Sequence, residues 1–209
     1  MDCCDLKLKT PFTMIVVGPT SCGKTTFVKR LLIRHNLFFT SRNPGSVIWC
    51  YKTWQPAYSR MRNVQFLEGH PTTEWIHENV DKRMGNCTIV IDDLALSCTA
   101  DTDELFTVLS HHKNLNIILI AQNLFTKNPF YREISLNSTY HVVFKNVQLA
   151  SWLNNSLRVT QRPLRRYLKK ATKPVYSYLF IDYHQTTPDN SRFRFNIMGE
   201  GGILSQYIN

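Results

Sequence analysis

Gly18, Gly23, Lys24 and Thr25 stand at the spacing G-x-x-x-x-G-K-[ST] within Gly18-Pro19-Thr20-Ser21-Cys22-Gly23-Lys24-Thr25, the pattern of a loop that wraps its main chain around a triphosphate. The residue types suit that task. Glycine lets backbone N–H donors come close to phosphate oxygens, a lysine ammonium is a compact charge for the β- and γ-phosphates, and a threonine hydroxyl is an oxygen ligand for Mg²⁺. Pro19, Thr20, Ser21 and Cys22 fill the turn and Thr26 follows it, so Gly18 to Thr26 is the expected nucleotide-binding segment. Cys22 reads as a small packing residue. A redox-sensing role for it would rest on electropositive surroundings that lower the thiol pKa.

Three further stretches supply groups for hydrolysis. Thr88-Ile89-Val90-Ile91-Asp92-Asp93-Leu94 ends a run of strand formers in paired carboxylates. Asp92 is expected on the metal side, with Thr25, holding Mg²⁺ through its water shell; Asp93 is expected to orient the attacking water or accept its proton. Capping a following helix is the structural alternative for these acids. Gln122, with Asn123, terminates the apolar run Leu115 to Ala121 and is a candidate γ-phosphate sensor, beside a plain turn role. Arg132 reads as an isolated base in a loop beyond that run. It can complete the site of an adjacent subunit, or pair with Glu133 at the surface. His111 and His112 look like capping or packing residues at a helix end rather than ligands.

The elements that must hold these groups follow from periodicity. Thr13 to Val17 is an apolar, β-branched strand before the loop, and Thr26 to Ile33 repeats apolar residues at helical spacing after it. Ser46 to Tyr51 is a second buried strand, with Trp54, Pro56 and Tyr58 at its carboxyl end. Packing under a loop and stacking on a base are both open to that cluster. Helices are expected over Thr73 to Asn79 and Asp101 to Lys113, strands over Leu115 to Ala121 and Tyr140 to Phe144, and a closing hairpin over Tyr178 to Tyr183 and Phe193 to Ile197. The expected organisation is an N-terminal arm at 1–12, an α/β P-loop domain at 13–197 with a basic helical segment at 150–174, and a loose tail at 198–209.

The chain has 209 residues and a net charge of +10, enough for a single α/β domain and an excess that marks a polyanionic partner. Between Ile134 and Ile181 there is no Asp or Glu, while Arg158, Arg162, Arg165, Arg166, Lys169 and Lys170 all fall there. A solvated basic helix explains such a run, and so does contact with nucleic-acid phosphates, the reading favoured by the length of the acid-free span. No apolar run approaches the roughly 20 residues of a membrane span. The N-terminus lacks a secretion signal, so a soluble protein that is not secreted is expected. Six cysteines show no C-x-x-C pair and no histidine at ligand spacing, which points to free thiols rather than a zinc site or disulfide framework.

Taken together, GPTSCGKTTFVKR, VIWCYKTWQP, TIVIDDL, LFTVLSHHKNLNIILIAQNLF, REISLNSTYHVVFKN and YLFIDYHQTTPDNSRFRFNI resemble the DNA-packaging ATPases of large eukaryotic DNA viruses, the poxvirus-type branch, and of Maverick/Polinton-type elements, within the FtsK/HerA class of P-loop motors. The resemblance runs from about Phe12 to Ile197. It implies a RecA-like, mostly parallel sheet with the sensor strand between the phosphate-loop strand and the acid strand. It implies a ring homo-oligomer, a hexamer, that couples ATP hydrolysis to drawing double-stranded DNA into a preformed capsid. By motif matching, Lys24, Thr25, Asp92, Gln122 and Arg132 carry over. Asp93 is a departure, since cellular members of the class usually have Glu there, whereas the packaging branch often has Asp. The implied setting is the host-cell interior, at the nuclear or cytoplasmic site of virion assembly, or the virion itself. The chain shows no appended domain, so capsid or portal-like proteins are the expected source of capsid and DNA loading. The alternative function is a nucleotide or small-molecule kinase using the same loop, which would need a hydroxyl acceptor and no DNA; a nucleotide-gated binding module with little turnover is a third.

Overall fold

In the computed structural model the described residues are 7–41, 45–80, 87–123, 126–146, 161–195, 197–198 and 206–207, with backbone alone considered at 161–165 and 206–207. Arg158 and the side chains of Arg162 and Arg165 therefore lie outside the described residues, as does 150–160 of the expected basic segment.

The chain runs β1 (Thr13–Val17), α1 (Lys24–Ile33), α2 (His35–Phe38), β2 (Val47–Tyr51), β3 (Val64–Glu68), α3 (Thr73–Asn79) and β4 (Cys87–Asp92). Next come α4 (Ala100–Glu104), a π-helical turn (Leu105–Leu109) and α5 (Ser110–His112), which form one interrupted helix. β5 (Leu115–Ala121), α6 (Pro129–Asn137), β6 (Tyr140–Phe144) and α7 (Gln161–Ala171) follow, and β7 (Tyr178–Asp182), β8 (Phe193–Phe195) and β9 (Gln206–Tyr207) complete the order. Among the described residues the strands form one nine-stranded sheet, β3-β2-β4-β5-β1-β6-β7-β8-β9. Neighbours from β3 to β6 pair parallel, and from β6 onward antiparallel. β5 lies between β1 and β4 as expected, and β7 and β8 form the expected antiparallel pair.

Every residue of β1, β4, β5 and β6 is buried, because helices cover both faces of a parallel sheet and an all-apolar strand is then favoured over an alternating one. Ile15, Ile89 and Leu119 face the layer containing Ile76 of α3, Leu109 of the π turn, Ile134 of α6 and Leu168 of α7. Met14, Val90 and Ile118 face Phe27, Val28 and Leu31 of α1 together with Phe38 and Phe39.

The termini depart from expectation. The arm is docked where it is described: Leu8 and Phe12 are buried, and Leu8 N donates to Phe38 O while Thr40 N donates to Leu8 O. Within the expected loose tail, Gln206 and Tyr207 pair with β8. β3 has no counterpart in the sequence reading; it is half-exposed and lies at the sheet edge, where apolar alternation is weakest. No helix among the described residues is long and apolar enough to cross a membrane.

Candidate active site

Strand register gathers the predicted groups. Val17 pairs with Ala121 and with Val143, and Asp92 pairs with Ile120, so Gly18, Asp93, Gln122 and Phe144 all emerge at one sheet edge. This is the carboxyl edge, where open α/β sheets bind ligands.

The loop between β1 and α1 is fastened by Gly18 N donating to Ala121 O. Its two glycines have different reasons to be glycine. A Cβ on Gly18 would lie 2.7 Å from both Cys22 Sγ and Phe144 Cβ, so this position is dictated by close packing under the loop, not only by access to phosphate. Gly23 has φ 104°, a left-handed conformation that side chains disfavour. Ser21 also has positive φ, at 61°. Lys24 opens α1, and its ammonium donates to Gly18 O at 2.7 Å and Pro19 O at 2.8 Å. Burial lowers its pKa, partly offset by the nearby Cys22, Asp92 and Asp93. The Cys22 thiol is pushed up by burial even though Lys24 pulls the other way. Desolvation thus outweighs the electropositive surroundings, and the redox-sensing reading of Cys22 loses its basis.

Asp92 is 3% exposed. Thr25 Oγ1 donates to its Oδ2 at 3.4 Å, and the Tyr58 hydroxyl donates to the same oxygen at 3.0 Å. Burial pushes the carboxyl up to about 6, the Tyr58 hydrogen bond opposes it, Asp93 reinforces it, and Thr25 and Lys24 pull it down. Tyr58 is itself buried, and burial and then Asp92 raise its phenol pKa, keeping it a proton donor. The sequence reading missed this role. Tyr58 belongs to a ring cluster with Trp49, Tyr51, Trp54 and Phe66, so packing is the observed arrangement, with its hydroxyl turned to the acid.

Asp93 is exposed and has φ 61°, a short polar residue in the left-handed region. Gln122 Nε2 donates to Asp93 Oδ1 at 2.9 Å, so the candidate sensor and the candidate water-orienting acid are joined directly. Arg132 departs from expectation: it lies within α6, is exposed, and does not line the cavity described below. Arg166, Lys169 and Lys170 project outward from α7 while Leu168 and Ala171 are buried beneath them.

Lys24, Thr25, Asp92, Asp93 and Gln122 line a cavity of about 700 Å³, within the roughly 300–1,000 Å³ usual for small-molecule sites. Thr25, Asp92, Asp93 and Gln122 line its acidic side, and Phe144, Tyr176, Tyr178 and Met198 also contribute to its wall. Among the described residues no cluster of three or more His, Cys, Asp or Glu can cage a metal. A threonine hydroxyl beside one carboxylate does fit Mg²⁺, which keeps waters and shares its coordination with substrate phosphates.

No family model and no curated protein matches the chain. Among solved structures it is similar to the genome packaging NTPase B204 from Sulfolobus turreted icosahedral virus 2. In complex with ATP-gammaS that protein aligns at 14% identity and TM-score 0.61, over 88% of this chain and 96% of its own. In complex with sulfate the identity is 14% and the TM-score 0.61, over 88% and 95% of the two chains. Thermomonospora curvata EccC (ATPases 2 and 3), in complex with a signal sequence peptide, aligns at 13% identity and TM-score 0.50, over 95% of this chain and 37% of its own. At these identities the likeness is one of fold, and the fold is that of a RecA-like P-loop NTPase.

Proposed function

We propose that this chain is an ATP-driven double-stranded DNA translocase that packages a viral or virus-like genome into a capsid, working as a ring of identical subunits inside the host cell. The observation that carries the reading is the convergence of Lys24, Thr25, Asp92, Asp93 and Gln122 on one cavity. The packaging NTPase among its fold neighbours supports the choice of task.

In the proposed mechanism Gly18 to Thr26 bind the triphosphate, and phosphate oxygens replace the two loop carbonyls as acceptors for the Lys24 ammonium. Thr25 and, through water, Asp92 would hold Mg²⁺, which would supply charge neutralisation to the bound triphosphate. The Tyr58 hydroxyl fixes the Asp92 carboxylate that burial would otherwise favour protonating. Asp93, oriented by Gln122, aligns the attacking water and accepts its proton. Arg132 of an adjacent subunit is the proposed source of the positive charge that offsets the transition state. Arg158, Arg162, Arg165, Arg166, Lys169 and Lys170 are the proposed phosphate contacts to DNA. Such contacts carry no base code and suit a motor that must slide over any sequence.

The test is ATP hydrolysis with and without duplex DNA. A translocase shows hydrolysis stimulated by duplexes of unrelated sequence. Transfer of the γ-phosphate to a hydroxyl compound, indifferent to DNA, would establish the kinase alternative, and nucleotide binding without turnover would leave only a binding module. Lys24→Ala is expected to lose nucleotide binding.

A further inference from the structure

The phosphate loop divides its cavity into chemically unlike halves. β5 and β4 lie on one side of β1, and from them come Gln122, Asp92 and Asp93; β6 and β7 lie on the other. There Phe144 ends β6, Tyr178 begins β7, Tyr176 precedes it, and Met198 joins them on the cavity wall. Among the described residues this second half shows no carboxylate; aromatic rings and a thioether line it, with Arg30 near Tyr178.

Tyr176 is the unusual member. The residue is 70% exposed, although a phenol ring gains from being covered. Its backbone has φ 60°, rare and strained for a bulky residue. Non-glycine residues with positive φ, among those described, are Ser21, Asn63, Asp93, Asn114 and Tyr176. Asparagine tolerates that region; the other three all line this cavity. Aspartate tolerates it too, so Tyr176 and Ser21 are the members with backbone strain, and both lie on this cavity. The ring lies beside the loop: a Cβ built on Gly23 would be at ordinary van der Waals distance, 3.8 Å, from Tyr176 Cδ1.

We propose that this aromatic half is the nucleobase subsite, with Tyr176 stacking on the base of the bound nucleoside triphosphate and Met198 closing its edge. The inference rests on the nucleotide reading above. It adds where the base lies and what holds it. Stacking strength follows the π area presented, so the site favours a purine over a pyrimidine.

The experiment separates base from phosphate. Binding of Mg²⁺-ATP, Mg²⁺-CTP and Mg²⁺-tripolyphosphate to the full chain is measured for wild type, Tyr176→Ala, Tyr176→Phe and Lys24→Ala. Tyr176→Ala is expected to weaken ATP by roughly tenfold, to reduce the preference for ATP over CTP, and to leave tripolyphosphate binding as in wild type. Tyr176→Phe keeps the ring and is expected to keep ATP affinity. Lys24→Ala is expected to lose all three ligands. Equal weakening of ATP and tripolyphosphate by Tyr176→Ala would show that the ring only supports the loop and would overturn the subsite. An unchanged ATP affinity would place the base elsewhere. Wild-type protein that binds none of the ligands would instead overturn the nucleotide reading, and the subsite with it.

Discussion

In the proposed mechanism Asp92 has to remain a carboxylate in a place that disfavours charge. Burial pushes its pKa to about 6, and both hydrogen bonds that oppose the shift, from Tyr58 and Thr25, fall on the same oxygen. Tyr58→Phe preserves a ring packed against Trp49, Trp54 and Phe66 but removes one of those donors. Losing a group that orients a metal-side ligand typically costs roughly 10–100-fold in metal affinity. We therefore expect the Mg²⁺ concentration that half-supports nucleotide binding to rise by about tenfold. A Mg²⁺ titration of labelled nucleotide binding reads this directly, and an unmoved midpoint would remove Tyr58 from the site. Asp93→Asn, by contrast, leaves the loop and Asp92 in place and is expected to bind nucleotide and lose turnover; turnover equal to wild type would take Asp93 out of the mechanism. The glycine-lysine pattern and the paired acids were legible in the sequence because their chemistry is local. Tyr58 was not, since its partner is 34 positions away and the contact depends on the path of the chain after β2.

Two elements carry constraints that a pattern of apolar residues does not reveal. Gly18, directly after β1, is wedged between Cys22 and Phe144, each 2.7 Å from where a Cβ would be. Phe144 in turn contacts Phe27 and Tyr178, so the neighbour that would have to yield is itself packed. Gly18→Ala is expected to cost about 1–3 kcal/mol by overpacking, seen as a lowered denaturation midpoint. In β6, His141 is buried and Nε2 faces Ser135 O. Burial lowers its pKa to about 4 from an ordinary 6.5, with the Ser135 hydrogen bond opposing. Between those values the unfolded chain binds more protons than the folded one, so stability falls as pH drops from 6.5 toward 4. The loss approaches about 3 kcal/mol and should vanish in His141→Gln. Asp92, with its raised pKa, contributes the opposite slope over part of that window. The comparison of the two proteins, rather than either pH profile alone, isolates His141. The buried strands β1, β2, β4, β5 and β6 were legible because continuous β-branched runs report burial on both faces. β3 was not, because an edge strand is half wet and mixes Gln65 and Glu68 with its apolar residues; nor was the π turn at Leu105–Leu109, whose apolar spacing reads as ordinary helix.

At the scale of the molecule the question is what the charge of +10 is for. α7 answers in part: Leu168 and Ala171 are buried against the sheet, while Arg166, Lys169 and Lys170 are exposed. Removing those three charges therefore leaves the packed face untouched, and Arg166→Ala, Lys169→Ala and Lys170→Ala together are expected to keep the melting midpoint. If each cation meets a duplex phosphate, the dependence of log Kd on log salt loses about 0.9 per contact removed, nearly three in all for the triple variant, with weakening equal on duplexes of unrelated sequence. A salt slope identical to wild type would make α7 a solvated face. Arg132 poses the matching question between subunits. It is exposed on α6 and outside the cavity of its own chain, which suits a group that acts on a neighbour's nucleotide but equally suits a surface side chain. Mixing decides between them. Arg132→Ala subunits added to wild type should depress hydrolysis more steeply than their mole fraction if one subunit's arginine serves the next subunit's site, because each variant silences a wild-type neighbour as well. A linear decline with mole fraction would confine the chemistry to the chain that supplies Lys24 and Asp92.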